Sequence, residues 1–241
     1  MIKPDWSAPA NVKAFFTTRL GGLSQAPYNG LNLGTHVGDD AAKVEQNRVL
    51  LSQELHLPNE PEWMNQTHST RVVTLEDETR RDADAAITRR PGRVAVVMVA
   101  DCLPVLVSNR DGSEIAAIHA GWRGLQGGVI QASIEAMQSN PADLTAWIGP
   151  AISKQHFEVG DEVREAFVDS VTCTDIQSFF TPQGAGHWMC DLPAIAEQVL
   201  IETGVSQTGR SRHCTYAEPD LFFSYRREAV TGRQAALIWI N

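Results

Sequence analysis

No stretch of this 241-residue chain approaches the roughly 18–20 consecutive apolar residues that a membrane-spanning helix needs, so no membrane partner is expected. The opening MIKPDWSAPA holds no apolar segment of signal-peptide length. Cysteine is scarce: Cys102, Cys173, Cys190 and Cys214 are the only four. Without a secretory leader they read as thiols rather than as a disulfide framework, and the expected compartment is the cytoplasm. Cations are also in deficit. Lys plus Arg number 20 against 29 Asp plus Glu, a net charge of −9, which argues against the broad basic face that nucleic acid requires, and no nucleic-acid partner is expected. An anion site must then be a local cluster of Arg and backbone N–H groups. There is no G-x-G-x-x-G after a strand and no Walker sequence, so dinucleotide and P-loop readings have no support. The seven histidines include no H-x-H pair, which disfavours a multi-copper electron-transfer chain. No repeat, low-complexity tract or linker interrupts the sequence, and residues 1–241 are expected to form a single domain.

What is present is an ordinary globular composition, 43% hydrophobic and 20% charged, in a chain long enough to bury a sizeable core. Arg93–Ala100 (RVAVVMVA) is a continuous apolar run, as expected of a strand covered on both faces. Further strands are expected at Val12–Thr18, Arg71–Leu75, Ala83–Thr88, Glu114–His119, Thr145–Ile148 and Ala235–Ile240, with another resuming at Val105–Val107 after Leu103-Pro104. Helices are expected after Asp39 or Asp40, over Leu125–Met137, over Asp161–Asp169, and between Asp191 and Gly204 with Pro193 near the start. The mixture lacks strict alternation, which points to an α/β (α+β) layered sandwich with a mixed β-sheet rather than a Rossmann fold or an eightfold barrel.

Three segments carry chemistry: Gln66-Thr67-His68, Asp101-Cys102-Leu103-Pro104 and His119-Ala120-Gly121-Trp122-Arg123-Gly124. Cys102 follows one expected strand and His119 ends another, where a rigid sheet can hold a side chain beside a cleft. Thiolate and imidazole suit Zn²⁺, and three protein ligands leave a fourth tetrahedral position open, the catalytic arrangement. A lone His at a strand end is nevertheless more often structural, and a lone Cys is commonly a small buried hydrophobe. Spacing selects Cys102 and His119 and leaves the third ligand open, because His36, His56, His68, His156, His187 and His213 all compete. The Gly121–Gly124 turn, opening a helix and carrying Arg123, has the elements of an anion site. A solvated Arg on a tight turn explains the same residues.

The segments TTRLGGLS, LNLGTHVGDD, NQTHS, ADCLPVL, HAGWRGL, IGPAI, FEVG and CTYAEPDLFFSYRR follow one another from about residue 17 to 227. Together they resemble the YfiH-like family, also called the laccase-domain or polyphenol-oxidase family and linked to peptidoglycan editing. The resemblance implies the sandwich fold shared with the catalytic domain of cytotoxic necrotizing factor. It places the family's metal ligands on His68, Cys102 and His119, with zinc as the expected ion and copper as the alternative. It further implies a purine nucleoside phosphorylase that cleaves adenosine, inosine and S-methyl-5′-thioadenosine with phosphate and also deaminates adenosine. The family's Gln-x-His-Gly reads Gln66-Thr67-His68-Ser69 here, which alters the loop after the ligand and keeps the ligand. On that basis Arg19, Arg123 and Arg226 are candidates to hold phosphate. Asn32 and His36 are candidates for ribose or base, and Tyr225 for stacking on the base. The rival expectations are a copper-dependent phenol oxidase and a cysteine hydrolase with Cys102 as nucleophile and His119 as base. A non-enzymatic partner protein would leave the glycine turns beside Cys102 and His119 without a purpose.

Overall fold

The apolar run around residue 95 becomes strand β4 (Val94–Val99), whose six residues are all buried. It pairs antiparallel with β12 (Gln234–Ile240), which pairs antiparallel with β1 (Val12–Phe16). In the computed structural model, which describes residues 1–241, this small sheet lies on a six-stranded one. The order there is β11 (Gln207–Arg210), β7 (Leu144–Ile148), β5 (Leu103–Asn109), β6 (Ile115–Ala120), β3 (Ala85–Thr88) and β2 (Val72–Thr74). Its two outer pairings are parallel and its inner ones antiparallel, the mixed sheet expected from the sequence. A third sheet of β8 (Glu158–Gly160), β10 (His187–Cys190) and β9 (Phe180–Gly184) packs beside the helices.

The period-2 alternation of side chains sorts the core into layers. Ala95, Val97 and Val99 of β4 face the large sheet and meet Leu106, Ala117 and Trp147. Val94, Val96 and Met98 face the other way, onto Leu31, Leu33 and Leu51. Leu51 lies on helix α1 (Ala41–Leu55), capped by the Asp40 side chain accepting from Ala42 N–H. Beyond α1, the other helices are α2 (Trp122–Gly127), α3 (Val129–Ala136), α4 (Asp161–Ser170) and α5 (Leu192–Glu202). The opposite face of the large sheet packs Leu103, Val105 and Ile118 against Ile130 of α3, Phe167 of α4 and Ile195 of α5. The result is an α/β/β/α sandwich.

Two local expectations need correction. Leu103-Pro104 does not interrupt structure: both residues belong to β5. Pro104 sits opposite His119, its carbonyl accepts from Gly149 N–H, and its missing donor falls just past the end of β7, where no ladder bond is lost. The helix expected at Leu125–Met137 begins earlier, at Trp122, and is split. Gly128 adopts φ 95°, a left-handed conformation that ends α2 and starts α3, and glycine takes it without steric cost. Strands β8 to β11 were not foreseen, because sequences such as QTGR and FTPQG carry no apolar alternation and lie at exposed edges.

Strand parity also positions the chemistry. Pro104 pairs with His119 and Ala85 with Ile118, so Cys102, His119 and Asp84 all project from one end of the large sheet toward the small one.

Candidate metal centre

His68, Cys102 and His119 bring their ligand atoms within 4.8 Å of one another. Cys102 Sγ lies 3.7 Å from His68 Nε2, close to the ~3.6 Å that tetrahedral angles and ordinary Zn–S and Zn–N bonds require. The His68 and His119 rings meet edge to face at 4.9 Å between centroids. No other group of three His, Cys, Asp or Glu side chains has such geometry. His156 stacks on Tyr216, while His187 and His213 pair with Glu158 and Glu218.

Asp84, which sequence reasoning missed, holds this group together. Its Oδ1 accepts from His119 Nδ1 at 2.8 Å and from His68 N–H at 3.0 Å. Its Oδ2 accepts from Ser69 N–H at 2.6 Å, Ser69 Oγ at 2.7 Å and Thr67 N–H at 3.2 Å. Three consecutive backbone N–H groups thus wrap one carboxylate, an anion nest. That nest explains why His68 tolerates φ 60°, a strained value for a non-glycine residue. Gln66 ties the same loop to β4, exchanging two hydrogen bonds with the Met98 backbone. With His119 Nδ1 committed to Asp84, Nε2 is left for the cluster, the carboxylate–histidine–metal pattern. A signal for Asp84 existed: a carboxylate in an otherwise apolar strand expectation, Ala83–Thr88, must find partners to be buried.

The electrostatics follow from these contacts. Burial pushes the Cys102 thiol up, but the His119 charge and hydrogen bonds from His119 and His68 outweigh it and bring the thiol down to about 6. Burial pushes His119 down, and the Cys102 thiolate with Asp84 reverses this and raises it to about 9. Asp84 is held well below the usual carboxylate range, because hydrogen bonds from His119 and Ser69 overcome its desolvation. Thiolate, two imidazoles and a carboxylate behind one of them form a donor set that fits a borderline-soft ion such as zinc. In the metal-free protein, alkylation of Cys102 should accelerate as pH rises from 5 to 7, since thiolate accumulates through about 6. Cys173 is raised to about 11 by burial and by Glu202 and Asp175, and should remain inert. Peptide mapping after iodoacetamide checks this; equal labelling of the two thiols at pH 7 would refute the ion pair.

The cluster opens into a cavity of about 600 Å³, within the range of small-molecule sites. Met98, Trp122, Ile152, Phe157 and Leu192 supply apolar walls, and Tyr225 stands at the rim, 58% exposed. Of the sequence candidates, His36, Arg123, Tyr225 and Arg226 line this cavity with the three ligands. Arg123 lies over the Trp122 ring at 4.3 Å. Arg226 donates through Nη1 to the Glu158 carbonyl and lies 5.2 Å over Phe157. Burial, then Arg233 and Arg48, hold the His36 imidazole below its usual range.

Arg19 and Asn32 are not brought to the cavity. Arg19 donates to the Pro219 carbonyl and Asn29 and stacks on Phe223. Asn32 is fully buried, and its amide is spent on Gly34, Asp39 and Arg233 N–H. The structure instead adds Arg233, whose Nη1 donates to the Thr231 and Gly232 carbonyls and whose guanidinium lines the cavity without a carboxylate partner. Nothing local in Thr231-Gly232-Arg233 signals this. Asp101, also unforeseen, accepts from Thr215 Oγ1, Ser224 Oγ and Arg226 N–H, fixing the C-terminal motifs at the cavity.

A family model described as multi-copper polyphenol oxidoreductase laccase matches residues 13–241. A Haemophilus influenzae protein named purine nucleoside phosphorylase is 46% identical over 243 residues, covering 100% of this chain and 99% of that one. An Escherichia coli relative named purine nucleoside phosphorylase YfiH is 45% identical, with 100% and 98% covered. A crystal structure of a Neisseria meningitidis protein superposes with a TM-score of 0.95 at 46% identity, covering 100% of this chain and 98% of that one.

Proposed function

This chain belongs to the YfiH-like, laccase-type family, and from that premise we propose that it is a zinc-dependent purine nucleoside phosphorylase. One observation carries the reading: a His-Cys-His ligand cluster and three arginines without carboxylate partners, Arg123, Arg226 and Arg233, share one cavity with apolar walls. The names of the relatives supply the reaction class.

In phosphorolysis a phosphate oxygen attacks ribose C1′, the N-glycosidic bond breaks, and the purine leaves with a proton. The arginines hold the phosphate dianion against C1′ by charge-assisted hydrogen bonds. Phe157, Ile152 and Trp122 bury the flat base, and Tyr225 closes the rim over it. The apolar walls suit the thioether of S-methyl-5′-thioadenosine, whereas the 5′-hydroxyl of adenosine and inosine needs a polar partner at the same wall. His68, Cys102 and His119 would hold the metal, which would supply a positive charge beside the substrate oxygens. Adenosine deamination, with water adding at purine C6, the C6–N6 bond breaking and ammonia leaving to give inosine, belongs to this reading as a second activity in the same cavity.

A laccase reaction has less support. Electron transfer through several coppers needs several histidine-rich sites, and this molecule has a single three-ligand cluster.

Metal analysis coupled to a nucleoside panel, with and without phosphate, tests the proposal; cleavage that proceeds equally without phosphate overturns it. Arg233→Ala should raise the phosphate KM about 10- to 100-fold, the equivalent of one charged hydrogen-bonded contact, with a smaller effect on nucleoside KM. An unchanged phosphate KM would remove Arg233 from the anion site.

A further inference from the structure

The cavity has a neighbour. Ile152 and Phe157 face the nucleoside cavity, whereas Ser153 and Lys154 face a second concavity of about 440 Å³. The α5 start divides the same way, with Leu192 on the first side and Asp191 on the second. Two short segments therefore form a shared wall.

The lining of this second cavity is cationic in a chain of net charge −9. Lys154, Arg210 and Arg212 converge on it, with His213, Ser153 and Ser211 between them. Asp191 is the one carboxylate in the lining, and its Oδ1 accepts from Ala194 N–H as the cap of α5. Arg210 reaches Glu197 only at 3.5 Å, and His213 pairs with Glu218. Lys154, which is half-buried, and Arg212 form no ion pair. Clustered cations that are not neutralised from within repel one another and are relieved by a bound anion. Guanidinium forks and hydroxyl donors match phosphate oxygens, and the volume exceeds what a bare phosphate ion fills.

We propose that this second cavity binds a phosphomonoester of pentose-phosphate to nucleoside-monophosphate size as an effector that acts through the shared wall. The binding claim stands apart from the proposed phosphorylase reaction; the effector claim rests on it.

Calorimetric titration of the metal-loaded protein with ribose 5-phosphate, AMP and inorganic phosphate separates the sources of the phosphate group. Lys154→Ala/Arg212→Ala should weaken ribose 5-phosphate or AMP by about tenfold or more per cation removed, and leave the phosphate KM of nucleoside cleavage unchanged. Arg233→Ala should do the reverse. The charge-preserving pair Lys154→Arg/Arg212→Lys should retain binding, which separates charge from folding. Saturating ribose 5-phosphate should change nucleoside kcat/KM about fivefold or more in the wild type and not in the double alanine variant. Unaltered affinity in the double alanine variant, or phosphomonoester binding lost only in Arg233→Ala, overturns the site. An unmoved rate with binding intact overturns the effector role alone, and absence of phosphorolysis leaves the binding result standing.

Discussion

Cys102→Ala is expected to remove bound metal and nucleoside cleavage together, lowering kcat/KM by about 10³-fold or more, which corresponds to ~4 kcal/mol of transition-state stabilisation. The thiolate is the one anionic ligand of the cluster, and its loss leaves only two imidazoles to bind a divalent ion. The effect on folding should be small. Cys102 stands partly exposed where the cluster meets the cavity and makes no backbone hydrogen bond, so an alanine leaves little void. Metal content per chain, circular dichroism and a nucleoside assay on the same preparation form the test. A variant that keeps one metal per chain and full cleavage would sink the assignment. The same experiment meets the cysteine-hydrolase rival, because a nucleophilic Cys102 predicts that chelation spares cleavage in the wild type while alkylation abolishes it. The metal reading predicts loss on chelation and recovery when zinc is restored.

Different parts of the molecule were legible in the sequence for different physical reasons. Strand β4 and strand β12 could be read directly, since a strand buried on both faces must be apolar throughout. Helix α5 announced itself by Asp191, Pro193 and Gly204, each fixed by backbone chemistry rather than by tertiary contacts. Cys102 and His119 were legible as strand-end residues, because the rigidity that makes such positions useful comes from the strands themselves. His68 was not: its loop has no regular structure, and its place is set by Asp84 across 16 residues of chain. Family resemblance found it where spacing did not. The same resemblance drew attention to Asn32 and Arg19, whose motifs are real but whose side chains serve the architecture. Asn32 orients the Arg233 backbone, so one motif residue supports a cavity cation that no motif marks. The division is physical: burial patterns depend on near neighbours in sequence, whereas an anion site depends on which distant loops fold back together.

That dependence makes Asp84→Ala the more destructive substitution for the protein as a whole, although the residue touches neither substrate nor metal. Five donors lose their acceptor: the Thr67, His68 and Ser69 N–H groups, Ser69 Oγ and His119 Nδ1. An unsatisfied buried donor costs about 1–3 kcal/mol, and partial hydration of the loop limits the sum to about 3–5 kcal/mol. For a chain of this length that should lower Tm by about 10 °C. His68 loses the nest that holds its left-handed backbone, and His119 loses the partner that fixes its tautomer, so metal affinity should fall by at least about 10- to 100-fold. Asp84→Asn should rescue little, because an amide presents N–H to donors that need an oxygen. The pH dependence follows from the sign of the Asp84 shift. A carboxyl held below its unfolded value of about 3.9 contributes stability that is complete above that value and is lost as pH falls through the folded one. Wild-type protein should therefore show an acid-dependent loss of stability below about pH 4, and Asp84→Ala should lack that component while being less stable at neutral pH. Denaturant unfolding of metal-free protein at pH 7 and at pH 2 measures both quantities. A stability gap between wild type and variant that stays constant across this range would show that the ionised carboxylate is not what organises the His68 loop.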